Sequence, residues 1–474
     1  MTFIQKGSQE CISQELQIFE LPPTDTAYID TPRYHIEQPV TSIGSGSTID
    51  YVIKSSIEDY VDLSNSYIDM TLSINKSNGD AIATHVDADT ATAAANATAK
   101  AKTTYYPENY LIGCLFKNVE FYINNTLISN SDNLYPYRAY LETLLNSSDG
   151  VKNDALQLSM YFREEGNPDF RNGKALAGIT GHAVENYSAL KRYEKTKDST
   201  KFQLIGKIHC DIFNQTRLIP GKNELKLKFF RSNPEFCIRR VTENDTDDVA
   251  YTIKIDSMNL LIRKCEISSH LREAHEKQLL SMRSETYKFP YSETRMRQYL
   301  FNTSQLMLSE PNLVTGVLPS RLIFGLVEAD ALNGSYEKNP FKFEPCNVTS
   351  VVLRKNGVAI PHDQLSLDFT NNNFLSGYLS LLQTSGCDLT GNNSLGITPE
   401  MYKTSHCLYA FDLTNPKHGC LPLIESGKIS LDIRLSPNAN NKAVALVVYM
   451  QFESVLHIGS DGLVTLSNQE GTTQ

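Results

Sequence analysis

The sequence predicts an all-β protein built of two tandem eight-stranded jelly rolls, with short inserted helices and a linker helix. Three observations predict this fold. The chain of 474 residues is too long for one hydrophobic core. Tyr, Thr, Ile and Val recur in short alternating runs, which favours strands. Four landmarks also occur twice in the same order, which indicates tandem duplication of one all-β unit.

The first landmark is a β-hairpin. Residues 119–128 read VEFYINNTLI, and residues 351–360 read VVLRKNGVAI. Each is an apolar or β-branched strand, an Asn-Asn or Asn-Gly pair, and a second strand. Asn and Gly tolerate the positive φ angles of a two-residue hairpin turn. Both segments therefore predict a hairpin, with Asn-Gly as the stronger turn signal.

The second landmark is a short helix after each hairpin. In PYRAYLETLL, residues 136–145, aromatic and apolar side chains recur at helical spacing, and Pro136 suits the first turn. The second copy has FLSGYLSLL at 374–382, and its Tyr-Leu pair at 378–379 matches the pair at 140–141. Each copy thus predicts one inserted helix.

The third landmark is an acidic motif, Asp-Ile-Phe-Asn at 211–214 and Asp-Leu-Thr-Asn at 412–415. Each motif is followed by a Gly-Lys pair that predicts a turn opening an alternating strand, at 221–222 and 427–428. The fourth landmark is the closing strand of each copy, at 251–262 and 445–452. Two immunoglobulin-like domains rank second as a fold, because they would be shorter and would lack helices within a copy.

The segments around these landmarks divide the chain. The charged stretch HLREAHEKQLLSMRSE predicts the linker helix. An Ala-rich stretch without an apolar face predicts an exposed loop insertion in the first copy. The predicted units are an N-terminal arm (1–23), the first jelly roll (24–266, with the loop insertion at 79–104), the linker helix (267–285), the second jelly roll (286–459) and a C-terminal tail (460–474).

Composition argues against several classes of protein. The formal net charge is −10, and residues 1–30 contain a single base, Lys6. This excludes a basic genome-condensing arm at that end, and we expect no direct sequence-specific binding of nucleic acid. Nine cysteines without a C-x-x-C pair suggest neither a disulfide framework nor a zinc ribbon. The longest apolar run, residues 443–450, is far shorter than the ~20 residues of a spanning helix, so we expect no membrane span.

The sequence contains no recognised catalytic or metal-binding motif. No two of its ten histidines are separated by one residue, so the metal-binding pair of a cupin enzyme is missing, as are H-E-x-x-H and G-x-S-x-G. The run with Asp245, Asp247 and Asp248 lacks the Gly and terminal Glu of an EF-hand and is interpreted as a solvated turn. We therefore expect no enzymatic activity, no cofactor and no bound metal.

Four stretches resemble one family. NLYPYRAYLETLLN (133–146) closely resembles a stretch of the major capsid proteins of Polinton (Maverick)-type elements and adintoviruses. The resemblance extends to LQIFELPPTDT (16–26), EDYVDLSNSY (58–67) and IHCDIFNQTRLIPGKNELKLKFFRS (208–232), and it covers mainly the first copy. The Ala-rich insertion is not a feature of that family.

The resemblance implies a double jelly-roll subunit of a DNA virus. Such subunits form homotrimers, which are pseudo-hexagonal capsomers that tile an icosahedral shell with a separate penton protein and minor capsid proteins. The expected location is the virion, after synthesis in the cytoplasm of the host cell. The tandem duplication is the feature that this geometry requires, because two similar domains in three chains present six similar edges.

One cluster in the first inserted helix is a candidate contact between subunits. Arg138 and Glu142 lie at positions i and i+4, and Tyr135, Tyr137 and Tyr140 flank the arginine. Two interpretations are open, a weak surface ion pair or an intersubunit contact of aromatic and arginine composition.

Two other functions remain open at this point. The first is a β-sandwich that binds carbohydrate or a receptor, as part of a spike or fibre. It predicts a ligand pocket or an exposed aromatic platform. The second is a metal-dependent cupin enzyme, which predicts bound iron or zinc.

Overall fold

A computed structural model describes most of the chain. The described residues are 16, 18–19, 21, 24–44, 48–82, 104–164, 166, 186–241, 250–281, 285–302, 305–360, 364–387, 394–414, 424–436 and 442–467. Most of the predicted N-terminal arm, residues 83–103 of the predicted loop insertion and the acidic run at 245–248 lie outside the described residues.

The first copy folds into two antiparallel sheets that share a core. One sheet has the strand order β1-β11-β3-β7, with β8 pairing β3, and the other has the order β2-β9-β5-β6. Strands β4 and β10 form a separate pair. The strands are β1 (Arg33–Glu37), β2 (Thr48–Ile53), β3 (Asp59–Lys76), β4 (Thr104–Pro107), β5 (Phe116–Ile123), β6 (Thr126–Ser129), β7 (Phe202–Lys207), β8 (Ile219–Pro220), β9 (Leu225–Arg231), β10 (Ile238–Val241) and β11 (Tyr251–Glu266).

The second copy repeats the two four-stranded paths of the first, and its described residues contain no counterpart of the β4–β10 pair. Its sheets have the orders β12-β20-β14-β18, with β21 pairing β20, and β13-β19-β15-β16, with β17 pairing β15. Each copy therefore has two four-stranded paths of the same connectivity, which confirms two tandem jelly rolls. The strands are β12 (Tyr287–Phe301), β13 (Met307–Val317), β14 (Arg321–Glu328), β15 (Val348–Lys355), β16 (Val358–Ala359), β17 (Leu365–Ser366), β18 (Leu408–Asp412), β19 (Ser426–Leu435), β20 (Val444–Ile458) and β21 (Val464–Leu466).

Alternation of side chains explains the sheets of the first copy. In β3, Ile68, Met70, Leu72 and Ile74 are buried, and the residues between them are more exposed except for Ser73. One face of that sheet thus lies on the core. In the second copy, by contrast, every residue from Val444 to Met450 of β20 is buried, so both faces of that sheet are covered there.

Helices are inserted between strands in both copies. Helix α6 lies between the two copies, as the linker helix was expected to, and α2 and α8 follow the two hairpins. The helices are α1 (Leu111–Cys114), α2 (Tyr135–Asn146), α3 (Asp149–Asn153), α4 (Tyr187–Thr196), α5 (Pro234–Cys237), α6 (Ser269–Ser281), α7 (Ala329–Leu332), α8 (Leu375–Thr384) and α9 (Pro399–Thr404), with 3-10 turns at Ala155–Ser159, Lys197–Ser199 and Asp211–Asn214. Within the described ranges, no helix is both long and apolar enough to cross a membrane.

Both predicted hairpins are present. Their central residues have positive φ angles, 48° and 66° at Asn124 and Asn125 and 52° and 86° at Asn356 and Gly357. Two consecutive positive φ angles define the turn that suits the twist of a hairpin. The predicted turn at 427–428 is wrong, since this Gly-Lys pair lies inside β19 and pairs with β13. The predicted C-terminal tail also begins with structure, because β21 pairs with β20.

Candidate functional site

The candidate site surrounds helix α2, where the two jelly rolls meet. Every residue of α2 from Tyr135 to Leu145 is buried. The expectation that Arg138 is exposed is wrong, because its side chain is 0% exposed. The candidate cluster, Tyr135, Tyr137, Arg138, Tyr140 and Glu142, instead lies inside the chain, since the second jelly roll covers the helix on the side that faces away from the first.

Arg138 is the centre of a buried charge network. Its Nε donates to Glu142 Oε1 at 2.9 Å, and its Nη2 donates to Asp211 Oδ1 at 2.6 Å. Its Nη1 donates to Ser129 Oγ at 3.3 Å. A planar guanidinium suits this role, because its fixed fork of donors can hold two carboxylates at once.

The network crosses from the first jelly roll to the second. Asp211 Oδ1 also accepts a hydrogen bond of 2.9 Å from the backbone N–H of Thr294, in β12. Arg321 in β14 donates to Asn146, the last residue of α2, at 3.2 Å. Asp211, held by Arg138, and Asn146 at the end of α2 therefore connect the two copies inside one chain.

Burial and neighbouring charges shift the pKa values of the network in different directions. Burial alone would lower the pKa of Arg138, but Asp211 and Glu142 outweigh it and raise that pKa. Burial would raise the pKa of Glu142, but Arg138 and His209 lower it to about 2. For Asp211 burial prevails over Arg138 and raises the pKa to about 6. Glu142 is thus the firmly ionised partner of the arginine.

A second chain of hydrogen bonds leads from Glu142 through His209 to the buried Tyr110. Glu142 Oε2 lies 2.7 Å from His209 Nδ1, and His209 Nε2 lies 2.6 Å from the Tyr110 hydroxyl. These groups line a cavity of about 600 Å³ together with Val151 and Leu158. Burial raises the pKa of Tyr110, so its phenol stays protonated at neutral pH and is not a poised nucleophile.

Aromatic packing reinforces the contact between the copies. The Tyr140 ring stacks on Phe341 of the second copy, with centroids 4.2 Å apart and planes 5° apart. Tyr137 meets the edges of Phe341 and Phe343 at 5.7 and 6.5 Å. The Tyr140 hydroxyl lies 3.4 Å from Nε2 of His406. Burial lowers the pKa of His406 to about 4, so this imidazole is neutral at pH 7.

Lys152 is a buried contact that the sequence did not reveal. Its Nζ donates to Leu144 O at 2.5 Å and to Leu395 O of the second copy at 2.6 Å. Burial lowers the pKa of Lys152 to about 8. The lysine lies in the polar run DGVKN, which resembles a solvated turn, so no pattern marked it. Asp211, in contrast, was visible as a repeat landmark, although its partners were not.

The hydrogen bonds and ring contacts of this cluster hold the two domains together. In the described parts of the chain, no group of three or more His, Cys, Asp or Glu side chains is placed to hold a metal ion.

Comparisons with known proteins agree with the fold. No family model matches the sequence. One curated relative, a Caenorhabditis elegans protein named Uncharacterized protein F54H12.2, is 22% identical over 443 residues, which cover 92% of this chain and 97% of that protein.

Three solved structures with the same fold come from viruses. A chain in the cryo-EM structure of the Sputnik virophage has a TM-score of 0.61 at 11% identity, covering 98% of this chain and 94% of that one. The Faustovirus major capsid protein has a TM-score of 0.53 at 8% identity, covering 93% of each chain. The mavirus major capsid protein has a TM-score of 0.50 at 10% identity, covering 100% of this chain and 99% of that one. The chain therefore has the double jelly-roll fold of these viral proteins.

Proposed function

We propose that this protein is a non-enzymatic major capsid protein that forms homotrimeric, pseudo-hexagonal capsomers and assembles them into an icosahedral viral shell. One observation carries the proposal. Two jelly rolls of the same strand order lie in one chain and are held together by the buried network around Arg138, not by the linker helix alone. The capsid proteins of mavirus and Faustovirus share this fold over nearly their full length.

The geometry explains why such a chain suits a shell. Three chains with two similar domains each present six similar edges, so one protein can fill a hexagonal lattice. This use requires that the two domains keep a constant orientation. Buried ionic and aromatic contacts provide that constraint, because they hold only in one relative placement of the domains.

The assignment to a particular type of virus rests on the sequence resemblance. We propose that the protein belongs to a Polinton (Maverick)-type or adintovirus-like DNA virus, with the domain limits given above except that the second jelly roll extends through β21. Its partners are then further copies of itself, a penton protein and minor capsid proteins, and its place is the virion after synthesis in the host cytoplasm. A relative of nearly the same length in an animal supports an element that resides in animal genomes.

Light scattering coupled to size-exclusion chromatography tests the proposal. We expect a particle of three times the chain mass of 53.1 kDa, or larger assemblies that dissociate to that unit. Stable trimers of this kind commonly bury more than ~2,000 Å² at their interfaces. A chain that stays monomeric over a wide concentration range and binds components of a glycan array would instead support the carbohydrate- or receptor-binding alternative.

A further inference from the structure

The four landmarks of the internal repeat occur in both copies, but the matched residues differ in how deeply they are buried. The alignment that matches the Tyr-Leu pairs of α2 and α8 also matches Tyr137 with Leu375 and Leu141 with Leu379. Tyr137 and Leu141 are each 1% exposed, whereas Leu375 is 56% and Leu379 is 37% exposed. The second jelly roll covers α2, whereas among the described residues of one chain no corresponding domain covers this face of α8.

The acidic landmark shows the same inequality. Asp211 is buried and accepts from the backbone of β12, the edge strand of the second copy's first sheet. Asp412, its counterpart, is exposed, and its carboxylate accepts only from Thr414 among the hydrogen bonds of the described residues. The carboxylate that corresponds to Asp211 in the sequence repeat thus faces solvent on the second copy.

The surface against which α2 packs also differs between the copies. This surface is buried in the second copy, and its counterpart in the first copy is exposed. In the second copy, the middle of β12 and the adjoining outer face of its sheet are covered, and Thr294, Met296 and Tyr449 are buried there. The Tyr449 hydroxyl interacts electrostatically with Glu142 and Arg138 of α2.

In the first copy the corresponding edge strand is β1, and it is open. Ile36 pairs with Leu261, which pairs with Tyr67, and the neighbours of Leu261 in β11 point into the core. These three side chains therefore lie on the outer face. Ile36 is 65% exposed, and Tyr34 beside it is 52% exposed.

We propose that α8 and Asp412 of one chain dock onto β1 and the outer face of its sheet in a second copy of this chain, repeating between chains the contact that α2 and Asp211 make within one. The inference rests on the proposed trimer and names the surfaces that form it. The occupant follows from the repeat, because the domain that covers α2 shows what covers a helix in this position. The interface joins two different surfaces, head to tail, so it must close into a ring or continue as a fibre.

Two single substitutions test this arrangement. Leu379→Asp places a charge on the α8 face, and Ile36→Asp places one on the β1 face. Both sites are exposed in the single chain, so the variants should fold, which circular dichroism checks. The matched control is Leu280→Asp, at a leucine of α6 that is 75% exposed. We expect each interface variant to shift trimer dissociation to at least ~100-fold higher protein concentration, since a buried unpaired carboxylate costs several kcal/mol. The control should leave it unchanged.

Mixing the two variants gives the sharper result. Each retains the surface that the other has lost, so an equimolar mixture should form a dimer of twice 53.1 kDa and no trimer, as measured by light scattering. An interface between two copies of one of these surfaces would instead be lost in one variant and kept in the other, with or without mixing.

The outcomes separate the two proposals. If the two interface variants still form trimers, or if their mixture stays monomeric, the proposed docking surfaces are wrong and the proposed function still stands. A wild-type chain that never oligomerises would overturn the trimer and the docking surfaces together.

Discussion

Replacing Arg138 by methionine tests whether the buried network holds the two jelly rolls together. The guanidinium is fully buried and is the cation shared by Glu142 and Asp211. Methionine fills a similar volume but leaves two carboxylates without their cation. Removing one partner of a buried ion pair costs about 3–5 kcal/mol. Since 1 kcal/mol shifts the melting temperature of a domain of this size by about 2–4 °C, the expected decrease is on the order of 10 °C.

Differential scanning calorimetry of matched variants measures this effect. The control is Arg272→Met, which removes a partly exposed arginine 3.6 Å from Glu58 and should cost about 0–1 kcal/mol. A triple variant, Arg138→Met with Glu142→Gln and Asp211→Asn, removes all three charges and should recover most of the lost stability, because no buried charge then lacks a partner. The reasoning is refuted if Arg138→Met melts within the range of the control.

Three further results are expected. Phe341→Ala removes the ring that stacks on Tyr140 and should lower the free energy of unfolding by about 3–5 kcal/mol in a denaturant titration. A chain ending at Gly459 loses β21, with buried Val464 and Leu466, and should lose about 3 kcal/mol or more relative to a chain ending at Ser467. His406 has a pKa of about 4 in the folded protein, below its ordinary 6.5, so the folded state binds fewer protons and stability falls as the pH is lowered from 6.5 to 4. In that window the wild type should lose about 3 kcal/mol more than His406→Gln, a comparison that cancels the opposite contribution of Asp211; parallel pH profiles would contradict it.

Local patterns in the sequence determined much of the secondary structure. The Asn-Asn and Asn-Gly pairs predicted both hairpins, because positive φ is a local property of those residues. Helical spacing predicted α2 and α8, and the charged run predicted α6. The turn at 427–428 failed, since pairing with β13 extends β19 through a glycine that local preference assigns to a turn.

Burial of the site was not a local property. Helical periodicity showed that Arg138 and Glu142 share a face of α2, but it could not show that a second domain covers this face. A charged face normally lies in water, so exposure was expected. The structure instead pairs Arg138 with Asp211, 69 residues beyond Glu142 in the sequence, and Asp211 in turn accepts a hydrogen bond from the backbone N–H of Thr294 in the other copy.

The repeat, its order of strands and helices, and the double jelly-roll fold could thus be predicted from the sequence, because they depend on short-range preferences that occur twice. Which members of each repeated pair are covered became visible only in the folded chain. That choice depends on the placement of one domain against the other, which buries α2 and Asp211 and leaves Asp412 and one face of α8 exposed. Contacts between segments far apart in the chain set this placement, and no local pattern records them.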